Sequence, residues 1–140
     1  MNRNLQKTIL IVDDDRDDRE VILQGFIESN CEEKFIEFEN GFQVIQFLES
    51  IAPGSDYPSL ILLDLNMPII GGIEVIRHIR SSIYSYIPII VISTTATEIE
   101  KKNGYSMGCG IFIKKPNRFS EMIDIAKAIA VLFCLKTKVS

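Results

Sequence analysis

Short runs of branched apolar residues recur along the chain, and four of them end directly at polar residues. The runs cover residues 8–12, 60–63, 89–92 and 111–113, and the polar residues that follow them include Asp13, Asp64, Ser93 and Lys115. Continuous apolar runs of this length are typical of strands that are buried on both faces of a parallel sheet. Residues 34–39 instead alternate apolar and charged side chains, which favours a strand at the edge of that sheet.

Stretches with helical spacing of apolar residues separate the strands. They predict helices over residues 16–29, 40–51, 73–79, 97–107 and 119–135, and a last strand over residues 110–114. Asn40 is a residue type that caps helices, and Thr97 with Glu100 matches a capping box. The fourth helix contains Asn103-Gly104, so its intrinsic helix propensity is poor.

The alternation of strands and helices predicts an α/β fold. Because crossover connections are right-handed, few arrangements of five such units remain. The strand order 2-1-3-4-5 fits best, since it places the half-polar second strand at an edge. This is a doubly wound, five-stranded parallel sheet, in which ligands bind outside the carboxyl ends of the strands where the strand order reverses. That point lies between Asp13-Asp14 and Asp64, with Ser93 and Lys115 at the same rim.

Composition and charge narrow the classes of protein. The 140 residues, 46% hydrophobic and 24% charged, are expected to form one domain (1–140, core about 6–135) with no output domain. A net charge of -4 argues against nucleic-acid binding, and no apolar stretch approaches the roughly 20 residues of a membrane span. Three cysteines without Cys-x-x-Cys spacing, and a first strand too early for a signal peptide, predict a cytoplasmic protein with reduced thiols.

Crowded carboxylates at the predicted rim indicate a metal site. Asp13, Asp14 and Asp64 would repel one another, and a hard divalent cation relieves the repulsion by taking oxygen ligands. We expect Mg²⁺, or Mn²⁺, to be bound directly by Asp14 and Asp64 and through water by Asp13. The main-chain carbonyl of Asn66 would complete the protein ligands.

The same rim has the groups that phosphoryl transfer needs. A cation and Lys115 would neutralise charge on an incoming phosphoryl group, because such transfer depends mainly on positioning and electrostatics. Asp64 is the predicted nucleophile and would form an aspartyl phosphate. Ser93 can donate a hydrogen bond to a phosphoryl oxygen.

Five features in order resemble the receiver domain of two-component response regulators. They are the acidic pair Asp13-Asp14, Asp64 within Leu-Asp-Leu-Asn-Met-Pro, the hydroxyl of Ser93, Lys115-Pro116, and the aromatic Phe112 three residues before that lysine. The resemblance implies the (βα)5 flavodoxin-like receiver fold, with Asp64 as phosphoacceptor, Ser93 and Phe112 as switch residues, and a cis peptide before Pro116. Gly71, where the family usually has Asp, and the additional acid Asp15 depart from the pattern.

The resemblance also implies partners. A sensor histidine kinase or a histidine phosphotransfer protein would supply the phosphoryl group. The protein itself would be no enzyme beyond Mg²⁺-dependent self-phosphorylation and slow loss of the phosphate. A downstream protein, or a second copy of the chain in a homodimer, would bind the face formed by the fourth helix, fifth strand and fifth helix. A narrower similarity links the chain to the small regulators paired with bacterial phytochromes.

Two other interpretations remain open from the sequence. One is a phosphohydrolase of the haloacid-dehalogenase type, with Asp13 as nucleophile and Asp15 as acid/base. The other is a degenerate receiver that acts only by binding, although no site residue is missing. Four further residues are expected to be solvated and without a role in the site: Asp17 and Asp18 at a helix start, Lys114, and His78.

Overall fold

Five strands and five helices alternate in the computed structural model, which describes residues 6–94, 97–106 and 108–138. In chain order they are β1 (Thr8–Val12), α1 (Arg16–Glu28), β2 (Lys34–Phe38), α2 (Gly41–Ser50), β3 (Leu60–Leu63), α3 (Gly72–Arg80), β4 (Ile89–Ser93), α4 (Glu98–Ser106), β5 (Ile111–Lys114) and α5 (Phe119–Leu132). The strands pair in parallel in the order β2-β1-β3-β4-β5. Both the predicted α/β class and the predicted strand order are confirmed.

Each face of the sheet has its own apolar core, because successive strand residues point to opposite faces. On one face, α1 and α5 cover the strands, and Phe26 and Met122 are fully buried there. On the other face, α2 and α3 bring Val44, Leu48 and Val75 onto the alternate strand positions. β2 is only partly buried along its length, as expected of an edge strand.

Side-chain caps fix the starts of three helices. Asp15 accepts hydrogen bonds from the backbone amides of residues 17 and 18 and so begins α1. Asn40 accepts from the amide of Gln43 at the start of α2, as its residue type predicted. Thr97 and Glu100 exchange side-chain to backbone hydrogen bonds of 3.2 and 3.1 Å, which confirms the predicted capping box of α4.

The C-terminal segment differs from the sequence prediction of a long helix followed by a tail. α5 ends at Leu132 rather than at residue 135, because Cys134 adopts a left-handed conformation with φ of 53°. The chain then turns back, and Thr137 forms an antiparallel bridge with Cys31. The amide of Lys136 donates to Glu33. Smaller shifts of one residue occur at the end of α1 and the start of β5.

The cysteines are free thiols, as predicted. Cys109 is buried, Cys31 half-buried and Cys134 exposed. Over the ranges that the structure describes, no helix combines the length and the apolar character needed to cross a membrane.

Candidate functional site

Strand register brings the predicted site residues to one rim of the sheet. Val12 is paired with Leu63, so Asp13 and Asp64 follow directly at the ends of adjacent strands. The amide of Asp64 donates to the Val12 carbonyl over 2.9 Å. On the other side, the amide of Lys115 donates to the Ser93 carbonyl over 2.9 Å. The carboxyl ends of β1, β3, β4 and β5 therefore converge, as the sequence predicted.

Lys115 lies at the centre of the acidic groups. Its Nζ is 2.6 Å from Asp13 Oδ2, 2.7 Å from Asp18 Oδ2 and 3.8 Å from Asp64 Oδ2, and its side chain is only 10% exposed. Desolvation by itself would lower the pKa of the ammonium, but the contacts with Asp13 and Asp18 outweigh it and raise the pKa to about 12. Lys115 is therefore a permanent positive charge at this rim.

Asp18 corrects the sequence interpretation, which assigned it to a solvated helix start. Its backbone amide donates to the Asp15 cap, whereas its side chain accepts a hydrogen bond from Lys115 Nζ. No local sequence signal separates Asp18 from Asp17, because both follow the Asp15 cap in the same first turn. Asp17 and Lys114 are exposed, as predicted.

Burial raises the pKa values of both acids at the strand ends. Desolvation, followed by repulsion from Asp13, raises the pKa of Asp64 to about 6, although Lys115 and a hydrogen bond with Ser93 oppose the shift. The pKa of Asp13 is also raised, mainly by desolvation, with the contact to Lys115 acting in the opposite direction. Two buried carboxyl groups side by side are costly to ionise together unless positive charge is added.

The acidic cluster fits a hard divalent cation. Oxygen atoms of Asp13, Asp14 and Asp64 all lie within 4.8 Å of one another, with Asp13 and Asp64 buried and Asp14 exposed. Asp13 Oδ2 is fully buried and has no hydrogen bond of good geometry, although Lys115 Nζ is close to it. Carboxylate oxygens are the ligands that Mg²⁺ and Mn²⁺ prefer. The residues present therefore fit the metal that the sequence predicted.

Asn66 and Ser93 occupy the opposite side of the rim from Asp13. The Asn66 side-chain amide is 3.5 Å from Ser93 Oγ, which is a long contact for a hydrogen bond. Ser93 is completely buried at the end of β4, whereas Asn66 is exposed in the loop that follows β3. The role of the Asn66 main-chain carbonyl as a metal ligand stays a prediction.

Phe112 connects β5 to α4. Its ring is half-buried and packs edge-on against Tyr105 of α4, with ring centroids 5.9 Å apart. None of the described side chains of α4 is buried. The predicted boundary at residue 107 and the stretch at residues 95–96 lie outside the described residues. No described peptide bond is cis, so the cis form that the resemblance implied before Pro116 is not found.

The side chains of His78 and Asp15 both make specific contacts within the protein. His78 is not simply solvated, because its Nε2 lies 3.2 Å from both Glu49 Oε1 and the Tyr84 hydroxyl. Asp15, the acid/base of the alternative hydrolase interpretation, uses Oδ1 to cap α1. A carboxylate engaged in this way serves the helix start rather than a reacting group.

The fold and the site define a receiver domain. The family model of the response regulator receiver domain matches residues 9–127, and the chain belongs to this family. Its class is therefore the response regulator receiver domains of two-component systems, and the haloacid-dehalogenase interpretation is wrong.

The relatives include small regulators and longer proteins. The chain is 26% identical over 129 residues to the response regulator Rcp1 of Synechocystis, covering 90% of this chain and 88% of Rcp1. It is 30% identical over 123 residues (86% of this chain) to a probable transcriptional regulatory protein of Picosynechococcus, of which it spans only 48%. The chain thus spans about half the length of several curated relatives that it matches.

Comparison with solved structures also shows similarity to response regulators. The phosphorylated cyanobacterial phytochrome response regulator RcpA is 26% identical, with a TM-score of 0.83 over 95% of this chain and 100% of that one. The Mn²⁺-bound form of Rcp1 is also 26% identical, with a TM-score of 0.80 over 95% and 97% of the two chains. The predicted similarity to phytochrome response regulators is confirmed.

Gly72, the first residue of α3, provides a stability prediction. A Cβ atom there would lie 2.5 Å from the Asp64 carbonyl oxygen and 2.6 Å from Leu65 Cα, both of them backbone atoms. Gly72→Ala should therefore destabilise the fold by about 1–3 kcal/mol, measured by chemical denaturation. Gly71→Ala is the matched control: its nearest contact would be 3.6 Å, and a change within about 0.5 kcal/mol is expected. Equal effects would contradict the close approach of α3 to the backbone of Asp64 and Leu65.

Proposed function

We propose that this chain accepts a phosphoryl group on Asp64 from the phosphohistidine of a sensor kinase or of a phosphotransfer protein. The observation that carries the proposal is the position of Asp64 at the end of β3, buried beside Asp13 and 3.8 Å from Lys115. A buried carboxylate next to a permanent cation is well placed to attack a phosphorus atom while the developing charge is neutralised. Incubation with a small phosphodonor such as acetyl phosphate, followed by mapping of the label, tests the assignment.

Each neighbour of Asp64 has a distinct role in this proposal. Lys115 binds a phosphoryl oxygen with its ammonium group, and Ser93 donates its hydroxyl hydrogen to another. Asp13, Asp14 and Asp64, with the main-chain carbonyl of Asn66, would hold Mg²⁺ or Mn²⁺. When bound, the cation supplies positive charge to the phosphoryl oxygens. The Mn²⁺-bound form of the similar protein Rcp1 supports this assignment.

The reaction would make the chain a substrate of its partner rather than an enzyme with turnover. The only chemistry of its own would be self-phosphorylation from small donors in the presence of Mg²⁺ and slow hydrolysis of the aspartyl phosphate. The buried position of Asp64, which limits the approach of water, supports the slow loss.

The face formed by α4, β5 and α5 would change shape on phosphorylation and transmit the signal. A phosphoryl group on Asp64 offers an oxygen to Ser93, and the start of α4 would move inward with the hydroxyl. Phe112 would then rotate into the space behind the end of β4. The exposure of the described α4 side chains and the contact between Tyr105 and Phe112 support a two-state element at this face. A downstream protein, or a second copy of the chain, would bind this face in the cytoplasm.

Ser93→Ala tests the proposed switch. The variant should still accept phosphate on Asp64, because the hydroxyl is not the nucleophile. Beryllofluoride mimics the phosphoryl group. On its addition, the variant should show a much smaller change in amide exchange over residues 94–112 than the wild type shows. If the wild-type protein changed its amide exchange only at residues 13–16, the mechanism would be contradicted and the partner-binding surface would lie on α1.

A further inference from the structure

Asp18 contacts the lysine of the site from outside the acidic cluster that can hold a cation. Its Oδ2 accepts a hydrogen bond of 2.7 Å from Lys115 Nζ, a length typical of a charge-assisted bond. The oxygen atoms close enough to share a cation belong to Asp13, Asp14 and Asp64. Within the described ranges, Asp18 is therefore the carboxylate that contacts Lys115 without belonging to this cluster.

Lys115 and a divalent cation compete for the same oxygen atoms. The ammonium nitrogen is 2.6 Å from Asp13 Oδ2 and 3.8 Å from Asp64 Oδ2, and both residues are in the acidic cluster. A lysine that moved from Asp18 onto Asp64 would occupy ligand atoms of both buried acids and repel the metal. Because its side chain is only 10% exposed, Lys115 cannot replace a lost partner with water at low cost.

The first turn of α1 holds Asp18 in a fixed position. The cap at Asp15 accepts hydrogen bonds from the amides of Asp17 and Asp18, so the backbone of this turn is ordered. The Asp18 side chain is 38% exposed, so its carboxylate faces Lys115 from the solvent-accessible edge of the site. Asp17, its neighbour in the same turn, is exposed, and its side chain makes no hydrogen bond or ion pair with another described residue.

We propose that Asp18 is a positioning residue that holds the ammonium of Lys115 on the α1 side of the site, between Asp13 and Asp18, leaving Asp64 available to a divalent cation. This inference rests on the proposed function, because it concerns the lysine and the metal ligands of that same site. Asp18 would act through Lys115 and would touch neither the metal nor the phosphoryl group. Its effect should therefore appear in metal affinity even when no phosphodonor is present.

The test is the affinity for Mg²⁺, measured by titration calorimetry on the whole chain. In Asp18→Asn the lysine should turn towards Asp64, and Mg²⁺ affinity should fall about tenfold, the size of effect seen when a partner that orients metal ligands is lost. Asp17→Asn is the matched control, since it removes the same charge from the same helix turn. It should weaken Mg²⁺ binding by no more than about twofold, because an exposed charge is screened.

A second pair of variants separates positioning from simple charge. Lys115→Met keeps an unbranched stem but removes the ammonium, so Asp18→Asn in that background should weaken Mg²⁺ binding only about twofold. Asp18→Glu, which retains the carboxylate, should recover part of the lost affinity. Equal affinities of Asp18→Asn and Asp17→Asn would overturn the proposal, as would a tenfold loss that persists without the lysine.

The two proposals fail in different measurements. Wild-type protein that takes label on Asp64 while Asp18→Asn binds Mg²⁺ like Asp17→Asn would refute the role of Asp18 alone. Wild-type protein that takes no label on Asp64 would refute the proposed phosphoacceptor, and the comparison of metal affinities would still decide the role of Asp18.

Discussion

Asp64→Asn is expected to abolish phosphorylation completely. The amide has the shape of the carboxylate but is not a nucleophile, so no aspartyl phosphate can form. Wild-type protein incubated with radiolabelled acetyl phosphate and Mg²⁺ should acquire an acid-stable, base-labile label, and the variant should remain at background. Circular dichroism of the variant should match that of the wild type, because the change adds no volume to the buried rim.

The control for this experiment is another aspartate near the same rim. Asp15→Asn retains an oxygen that can cap α1, and its label should stay close to the wild-type level because Asp15 lies at the helix start. Mapping of the labelled peptide should place the phosphate on the segment that follows β3. A label on the segment after β1, or equal labelling of Asp64→Asn, would contradict the assignment of the phosphoacceptor.

Metal-free protein should become more stable when Asp64 is made neutral. Burial and the neighbouring Asp13 raise the pKa of Asp64 from its ordinary value of 3.8 to about 6, so the ionised group destabilises the fold at neutral pH. One pKa unit corresponds to about 1.4 kcal/mol, so Asp64→Asn should raise the free energy of unfolding by about 1–3 kcal/mol in EDTA at pH 7. Addition of Mg²⁺ should reverse this order of stability, because the free energy of unfolding of the wild-type protein rises by about 2.7 kcal/mol when Mg²⁺ is in hundredfold excess over its Kd.

The pH dependence of the same measurement follows from the direction of the shift. An acid whose pKa is higher in the folded state binds protons more tightly there, so stability falls as the pH rises. Wild type in EDTA should therefore lose stability between about pH 4 and pH 6, and Asp64→Asn should lose less over that range. Because the chain has no tryptophan, calorimetry or circular dichroism is the suitable method. Asp17→Asn serves as the control. If millimolar Mg²⁺ did not raise the free energy of unfolding of the wild-type protein, the metal site would be contradicted.

The central strands show why much of the fold was predictable. Residues 60–63 and 89–92 are apolar at every position, and only a strand covered on both faces buries such a run. Parallel strands then bring their carboxyl ends to one rim, so Asp13, Asp64 and Lys115 could be placed together before any coordinates were known. The caps at Asn40 and Thr97 followed from local hydrogen bonding, which depends on only a few residues.

Other features depended on contacts that are distant in the chain. The turn after α5 and the bridge between Cys31 and Thr137 join two segments more than a hundred residues apart, and neither segment has a pattern that indicates the pairing. His78 has the local surroundings of a surface residue, yet its contact with Glu49 depends on how α2 and α3 pack. Periodicity records which face of an element is buried but not which side chains meet across it.

Asp17 and Asp18 of α1 show most clearly what the sequence determined and what only the tertiary structure decided. The sequence alone determined that a parallel sheet would end in carboxylates, a hydroxyl and a lysine, because apolar runs and their polar ends are local properties of the chain. It could not distinguish Asp18 from Asp17, since both are acids in the same first turn. Only the tertiary structure decided that Asp18 meets Lys115 at 2.7 Å, because the partner lies 97 positions along the chain and the direction of each side chain depends on how α1 packs on the sheet.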